Sequence, residues 1–239
     1  MNKIKMGLMV LLLTLCTNQI FAHALWIETN GTGKIGQAQQ VKLFYGEYAQ
    51  NERDSVVKWY SDVKELTLWL VGPDSQKVKL TTTLSHNVAT ASFTPQKDGL
   101  YTLMVSHAAK DLAGTTAYNF LASATVQVGK TGLSVDEKAL SNELKVFPVG
   151  NGSYSVNTTV KLKAKNTDGI FKAKTISVFS PSGWSREVTT NAAGIAEFTP
   201  IWPGRYVIEV SDFKKTKGEQ LGKAYEAIWK GATYSFEVK

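Results

Sequence analysis

The sequence predicts an all-β protein, two tandem β-sandwich domains behind a cleaved signal peptide. Three observations carry that expectation. Short runs rich in Val, Thr, Leu, Tyr and Phe alternate with polar residues, Gly, Pro, Asn and Asp punctuate those runs, and the chain repeats itself once. With 239 residues, 43% hydrophobic and 20% charged, the chain can build one large or two small packed domains. The same proportions exclude a disordered, collagen-like or polytopic membrane protein. A single Cys excludes a disulfide framework within the chain.

Residues 1–22 read as a secretory signal. Lys3 and Lys5 supply the basic start, and Gly7 to Cys16 the apolar stretch. That stretch is about ten residues, half of what a membrane-spanning helix needs. Cys16 raises a lipid-attachment reading, but Leu15 stands where such a site requires a small residue. Cleavage is expected after Ala22, which exposes His23 as the first mature residue. Cleavage after Ala24 fits the small-x-small pattern better and discards the histidine. Removing Lys3 and Lys5 leaves 25 basic against 20 acidic residues, a balance of +5 that requires no nucleic-acid partner. The mature chain then has no thiol and keeps Met104 as its one thioether.

The strand-like runs include Gln40 to Tyr45, Glu65 to Val71, Tyr101 to Val105, Val160 to Lys165, Thr175 to Phe179 and Tyr206 to Val210. The stretch Lys215 to Trp229 is the least strand-like and is expected to hold a helical turn if any segment does. The repeat pairs Ala91 to Tyr101 with Ala196 to Tyr206, through Phe-Thr-Pro and Gly-x-Tyr, and Thr67 to Pro73 with Thr175 to Pro181. In Ig-like sandwiches a Tyr at the start of the sixth strand turns its hydroxyl back onto the preceding corner, and a Gly before it permits the turn. Two such elements, at Tyr101 and Tyr206, predict two Ig-like or fibronectin-like domains over residues 23–129 and 135–239, joined near Gly129 to Ser134.

The spacing between echoes widens from 105 residues (Phe93 and Phe198) through 108 (Pro73 and Pro181) to 119 (Val41 and Val160). The first half therefore carries an insertion, Gly46 to Lys64, and the second a longer final connection, Ser211 to Lys230. Insertions between framework strands form loops, where function is commonly placed.

All three histidines, His23, His86 and His107, fall in the first half. Alternating strand directions assign them to one pole of the sandwich, together with Glu47 and Glu52 of the inserted loop. A mature N-terminal His chelates through its amine and its ring Nδ1, and further imidazoles complete a square-planar or tetragonal site suited to Cu(II) or Ni(II). The candidate metal ligands are His23, His107, His86 and Glu47. Blander assignments stand beside them: His107 shares parity with Tyr101, Leu103 and Val105 at the lip of the core, His86 beside Asn87 fits a solvated turn, and Glu47 and Glu52 fit solvated loop charges.

Other patterns carry less. Gly129-Lys130-Thr131 lacks the upstream glycine of a phosphate loop, and no nucleophilic triad is suggested, so no catalytic residue is assigned. Lys214, Lys215 and Lys217 read as a solvated basic loop or a partner contact. Most of the six Trp are expected in the core, with Trp59 and Tyr60 of the insertion as a candidate exposed surface.

Ala22-His-Ala-Leu-Trp-Ile-Glu28, Gln40 to Glu47, Gly194 to Phe198, Pro203-Gly-Arg-Tyr206 and Ala232 to Phe236 together resemble the secreted domain family that accompanies bacterial nickel and cobalt uptake transporters. The resemblance spans essentially the whole mature chain through short motifs. It implies a periplasmic, non-catalytic component that supplies Ni(II) or Co(II) to a membrane transporter on a separate chain. His23 matches the family's junction histidine and Glu47 its Gly-Glu motif, whereas His86 and His107 match no motif. Two other function classes remain open: an adhesion or carbohydrate-binding module with incidental histidines, and a secreted copper carrier or N-terminal-His copper monooxygenase.

Overall fold

The computed structural model describes residues 23–129 and 132–239, so the segment expected to be a signal peptide, Cys16 and the expected cleavage junction before His23 lie outside the described residues. The chain is all-β, as expected. The first half contributes strands β1 (Ala24–Thr29), β2 (Gln39–Gly46), β3 (Leu68–Val71), β4 (Lys77–Leu80), β5 (Ala89–Phe93), β6 (Gly99–Ala108) and β7 (Thr116–Val128). The second contributes β8 (Leu144–Val149), β9 (Val160–Asn166), β10 (Thr175–Phe179), β11 (Ser185–Thr189), β12 (Ile195–Phe198), β13 (Gly204–Lys214), the hairpin β14 (Gly218–Gln220) and β15 (Lys223–Tyr225), and β16 (Ala227–Val238). Period-two alternation decides which face each strand buries: in β2, Val41, Leu43 and Tyr45 are buried while Gln40 and Lys42 are exposed.

Two sandwiches result. In the first, β1, β2 and β5 face β3, β4, β6 and β7 across a core that includes Leu25, Leu43, Leu68, Leu103 and Phe120. In the second, β8, β9 and β12 face β10, β11, β13 and β16 across Leu144, Leu162, Ile176, Tyr206 and Tyr234. The repeated Gly-x-Tyr elements form two tyrosine corners. The Tyr101 hydroxyl donates to the Lys97 carbonyl at 3.0 Å, and the Tyr206 hydroxyl to the Trp202 carbonyl at 3.1 Å. Gly99 and Gly204 adopt φ of +136° and +121°, and a Cβ on either would press on Pro73 or Pro181 at 2.6 Å and 3.0 Å. The echoed prolines and glycines are thus contact partners within each half.

The halves are joined by far more than the segment near Gly129 to Ser134. Strand β16 pairs in parallel with β7, Ala227–Ser235 against Thr116–Ala124, which fuses the larger sheets of both sandwiches into one nine-stranded sheet. Strand β1 lies across β16, where Thr233 donates to the Leu25 carbonyl and Ser235 to that of Ile27. A small apolar cluster, Trp26, Phe44, Phe179 and Val207, seals the contact between halves. Among the described residues no helix is long and apolar enough to cross a membrane.

Two local expectations change. The stretch Lys215 to Trp229 holds a β-hairpin instead of a helical turn. Leu221 and Gly222 both take positive φ, +50° and +80°, the pair of values a tight hairpin turn requires, and only the glycine announces it. Trp59 is buried instead of exposed, its indole N–H donating to the Asp54 carbonyl at 3.0 Å, because the insertion folds back onto the core through three short 3-10 turns.

Candidate functional site

Strands β1 and β2 pair with Ala24 opposite Gly46, so the next step of that ladder sets His23 beside Glu47. Beyond Gly46 the chain reverses at once. Glu47 and Glu52 exchange two backbone hydrogen bonds, 3.1 and 3.0 Å, and the Asp54 N–H donates to the Tyr45 carbonyl at 2.9 Å. Gly46 is required for that reversal: its φ is +148°, and a Cβ there would lie 2.5 Å from the Glu52 carbonyl oxygen.

The reversal puts a carboxylate on each side of the His23 ring. Glu47 Oε1 lies 3.3 Å from Nδ1 and Asp54 Oδ2 lies 3.2 Å from Nε2. The imidazole rests against Tyr45, with ring centroids 5.5 Å apart, and keeps an exposed edge. Glu47 is buried, and burial raises its carboxyl above the ordinary value; His23 pulls it down while Glu52 and Asp54 push it further up. Beneath this layer Tyr45 contacts Trp59 and Phe120, so the site stands on a packed aromatic floor.

The other two histidines have different surroundings. His107 lies one residue before the end of β6, at the lip of the core and partly buried, with Nε2 3.0 Å from Asp62 Oδ1. Burial opposes ionisation of Asp62, but the Lys110 N–H and the His107 ring outweigh it and hold that carboxyl below its ordinary value. His86 is exposed in a turn and offers its backbone carbonyl to the Val56 N–H. The structure thus brings His23 and Glu47 together and gives His107 a carboxylate of its own. Among the described residues no group of three or more His, Cys, Asp and Glu side chains is arranged to hold a metal ion. Glu52 serves through its backbone. Besides Glu47, Asp54 and Asp62 reach imidazoles although they are absent from the candidates read in sequence; their positions follow from the path of the insertion, which carries no spacing signal. Of the basic loop, Lys214 is paired with Asp168 at 2.8 Å.

No family model matches the chain, and no curated protein matches its sequence. Among solved structures it is similar to the crystal structure of Salmonella alpha-2-macroglobulin reacted with methylamine, at 11% identity and a TM-score of 0.31. That similarity covers 90% of this chain and 15% of the other.

Proposed function

We propose that this is a periplasmic, non-catalytic transition-metal-binding protein that serves Ni(II) or Co(II) uptake, capturing the ion at His23 and Glu47 once the signal peptide has been removed. One observation carries the reading: Glu47 Oε1 stands 3.3 Å from His23 Nδ1, the ring nitrogen that an N-terminal histidine uses together with its own amine. Amine, imidazole and carboxylate then provide three donors from two residues, and the ion takes the place of the proton that the imidazole and the desolvated carboxyl would share. Asp54 completes the arrangement from behind. Its contact with Nε2 holds the opposite N–H and fixes the ring orientation, the usual role of a carboxylate behind a metal-bound imidazole. The remaining coordination positions face the exposed edge of His23, where a membrane transporter on a separate chain could receive the ion. A nitrogen-rich donor set of this kind also suits Cu(II), whose intrinsic affinity exceeds that of Ni(II), so a copper carrier is the competing assignment.

Calorimetric titration of the mature protein with Ni(II), Co(II) and Cu(II) tests the reading. A version with one extra residue before His23 is expected to lose the amine chelate and weaken binding by at least tenfold, and Glu47→Gln to weaken it further. Equal binding by the extended and native forms, or no binding by either, overturns it. His107→Ala is expected to leave affinity within twofold.

A further inference from the structure

In β13 the residues Val207, Glu209 and Ser211 alternate with the core residues Tyr206, Ile208 and Val210, so they point away from the second core and toward the first half. Between that face and the start of the inserted loop lies a cavity of about 340 Å³. Its polar wall is acidic, with Glu209 on the floor, Glu47 on the first-half side and Glu187 on β11, and no Lys or Arg lines it. Its remaining wall includes Tyr48, Phe179 and Trp229.

Glu209 is the anomaly. It sits in the middle of a central strand, yet among the described residues it has no ion pair or side-chain hydrogen bond. Its cross-strand neighbours, Ser177 on β10 and Thr233 on β16, are neutral, and Thr233 has already given its hydroxyl hydrogen to Leu25. Burial, and then the nearby charge of Glu47, push the Glu209 carboxyl up to about 8. A partly buried carboxyl without a partner is costly to keep. A cation in the cavity would offset that cost.

The lining selects which cation. A transition-metal ion would find no imidazole or thiol in this lining. A neutral sugar would leave both carboxylates uncompensated. Aromatic faces attract ammonium groups and cover methylenes, which is the composition of an aliphatic amine. We propose that this cleft between the halves binds an aliphatic di- or polyamine, its ammonium groups paired with Glu209 and Glu187 and its methylenes laid against Tyr48, Phe179 and Trp229. The assignment is independent of metal capture at His23. Glu47 borders both sites, whereas Glu209 and Glu187 belong to the cleft alone.

Calorimetry of the mature protein with spermidine at pH 8 and low salt is expected to show one saturable site, weakened at least tenfold by Glu209→Gln and about threefold by Glu187→Gln. Ni(II) titration of Glu209→Gln is expected to stay within twofold of the native protein. The proposal falls if spermidine gives no saturable binding, if both variants bind it like the native protein, or if Mg(II) or a neutral linear diol binds the same site equally well. Failure of metal binding with retention of spermidine binding would overturn the metal reading and leave this one standing. Glu187→Gln, on an exposed position of β11, keeps the test decisive should the Glu209 variant fold poorly.

Discussion

The hydroxyl of Thr233 donates to the carbonyl of Leu25 at 2.6 Å, tying the last strand of the chain to the first across 208 residues of sequence. With the neighbouring bond from Ser235 to Ile27, it anchors β1 on the shared sheet and so positions His23 directly upstream. Thr233→Val keeps the shape and removes the donor. It is expected to destabilise the protein by about 1–2 kcal/mol, the cost of a buried group losing its partner. Urea unfolding measures this, and an unchanged midpoint would show that the anchoring bond contributes nothing.

Gly46→Ala is expected to disturb the candidate metal site through the backbone alone. The new Cβ would meet the Glu52 carbonyl at 2.5 Å while φ remains +148°, so the Glu47–Glu52 reversal must open. A stability loss of about 1–3 kcal/mol follows from strain of this kind. Metal affinity should fall with it, because Glu47 and Asp54 lose their positions on either side of His23. Gly31→Ala, where a Cβ would meet no atom within 4 Å, serves as the neutral control.

The two tyrosine corners give a symmetrical test of the duplication. Each hydroxyl donates to a carbonyl four residues upstream and accepts the N–H of that same residue, from Lys97 for Tyr101 and from Trp202 for Tyr206. Tyr101→Phe and Tyr206→Phe should each cost about 1–2 kcal/mol by chemical denaturation. A loss confined to one variant would mean that one corner is dispensable.

Glu209 makes stability fall with rising pH. Its carboxyl ionises near 8 in the folded chain against an ordinary value of 4.5. Between those values the folded state holds a proton that the unfolded state has released, so the stability contribution is complete below about 4.5 and is lost as pH rises through about 8. Glu209→Gln removes that dependence. Unfolding midpoints at pH 5 and pH 8 should therefore show the variant gaining on the native protein at the higher pH. A constant difference would refute the assignment.

Glu137 has the opposite sign. Hydrogen bonds from Lys163 and then Lys165 depress its carboxyl to about 2, so its contribution is present above the ordinary value of 4.5 and is lost as pH falls through about 2. Glu137→Gln is expected to destabilise at neutral pH and to converge with the native protein in acid, as followed by the same unfolding midpoints.

The sequence by itself determined the all-β class, the duplication, and the corner chemistry of Gly99, Tyr101, Gly204 and Tyr206, because those depend on local alternation and on backbone freedom that residue types declare directly. It also assigned His23 and Glu47 to one pole, whereas their direct contact comes from the register of β1 on β2 in the structure. Tertiary structure alone decided that Asp54 and Asp62 would reach the imidazoles and that Trp59 would be buried, since both depend on how a long insertion folds back. The fusion of the two larger sheets through β7 and β16 was equally invisible. Parallel pairing between distant strands leaves no local pattern, because each strand shows the same alternation whichever neighbour completes its hydrogen bonds. The placement of Glu209 follows the same logic: its position in the alternation said that it faced away from one core, and only the packing of the halves decided that it faced a cavity instead of water.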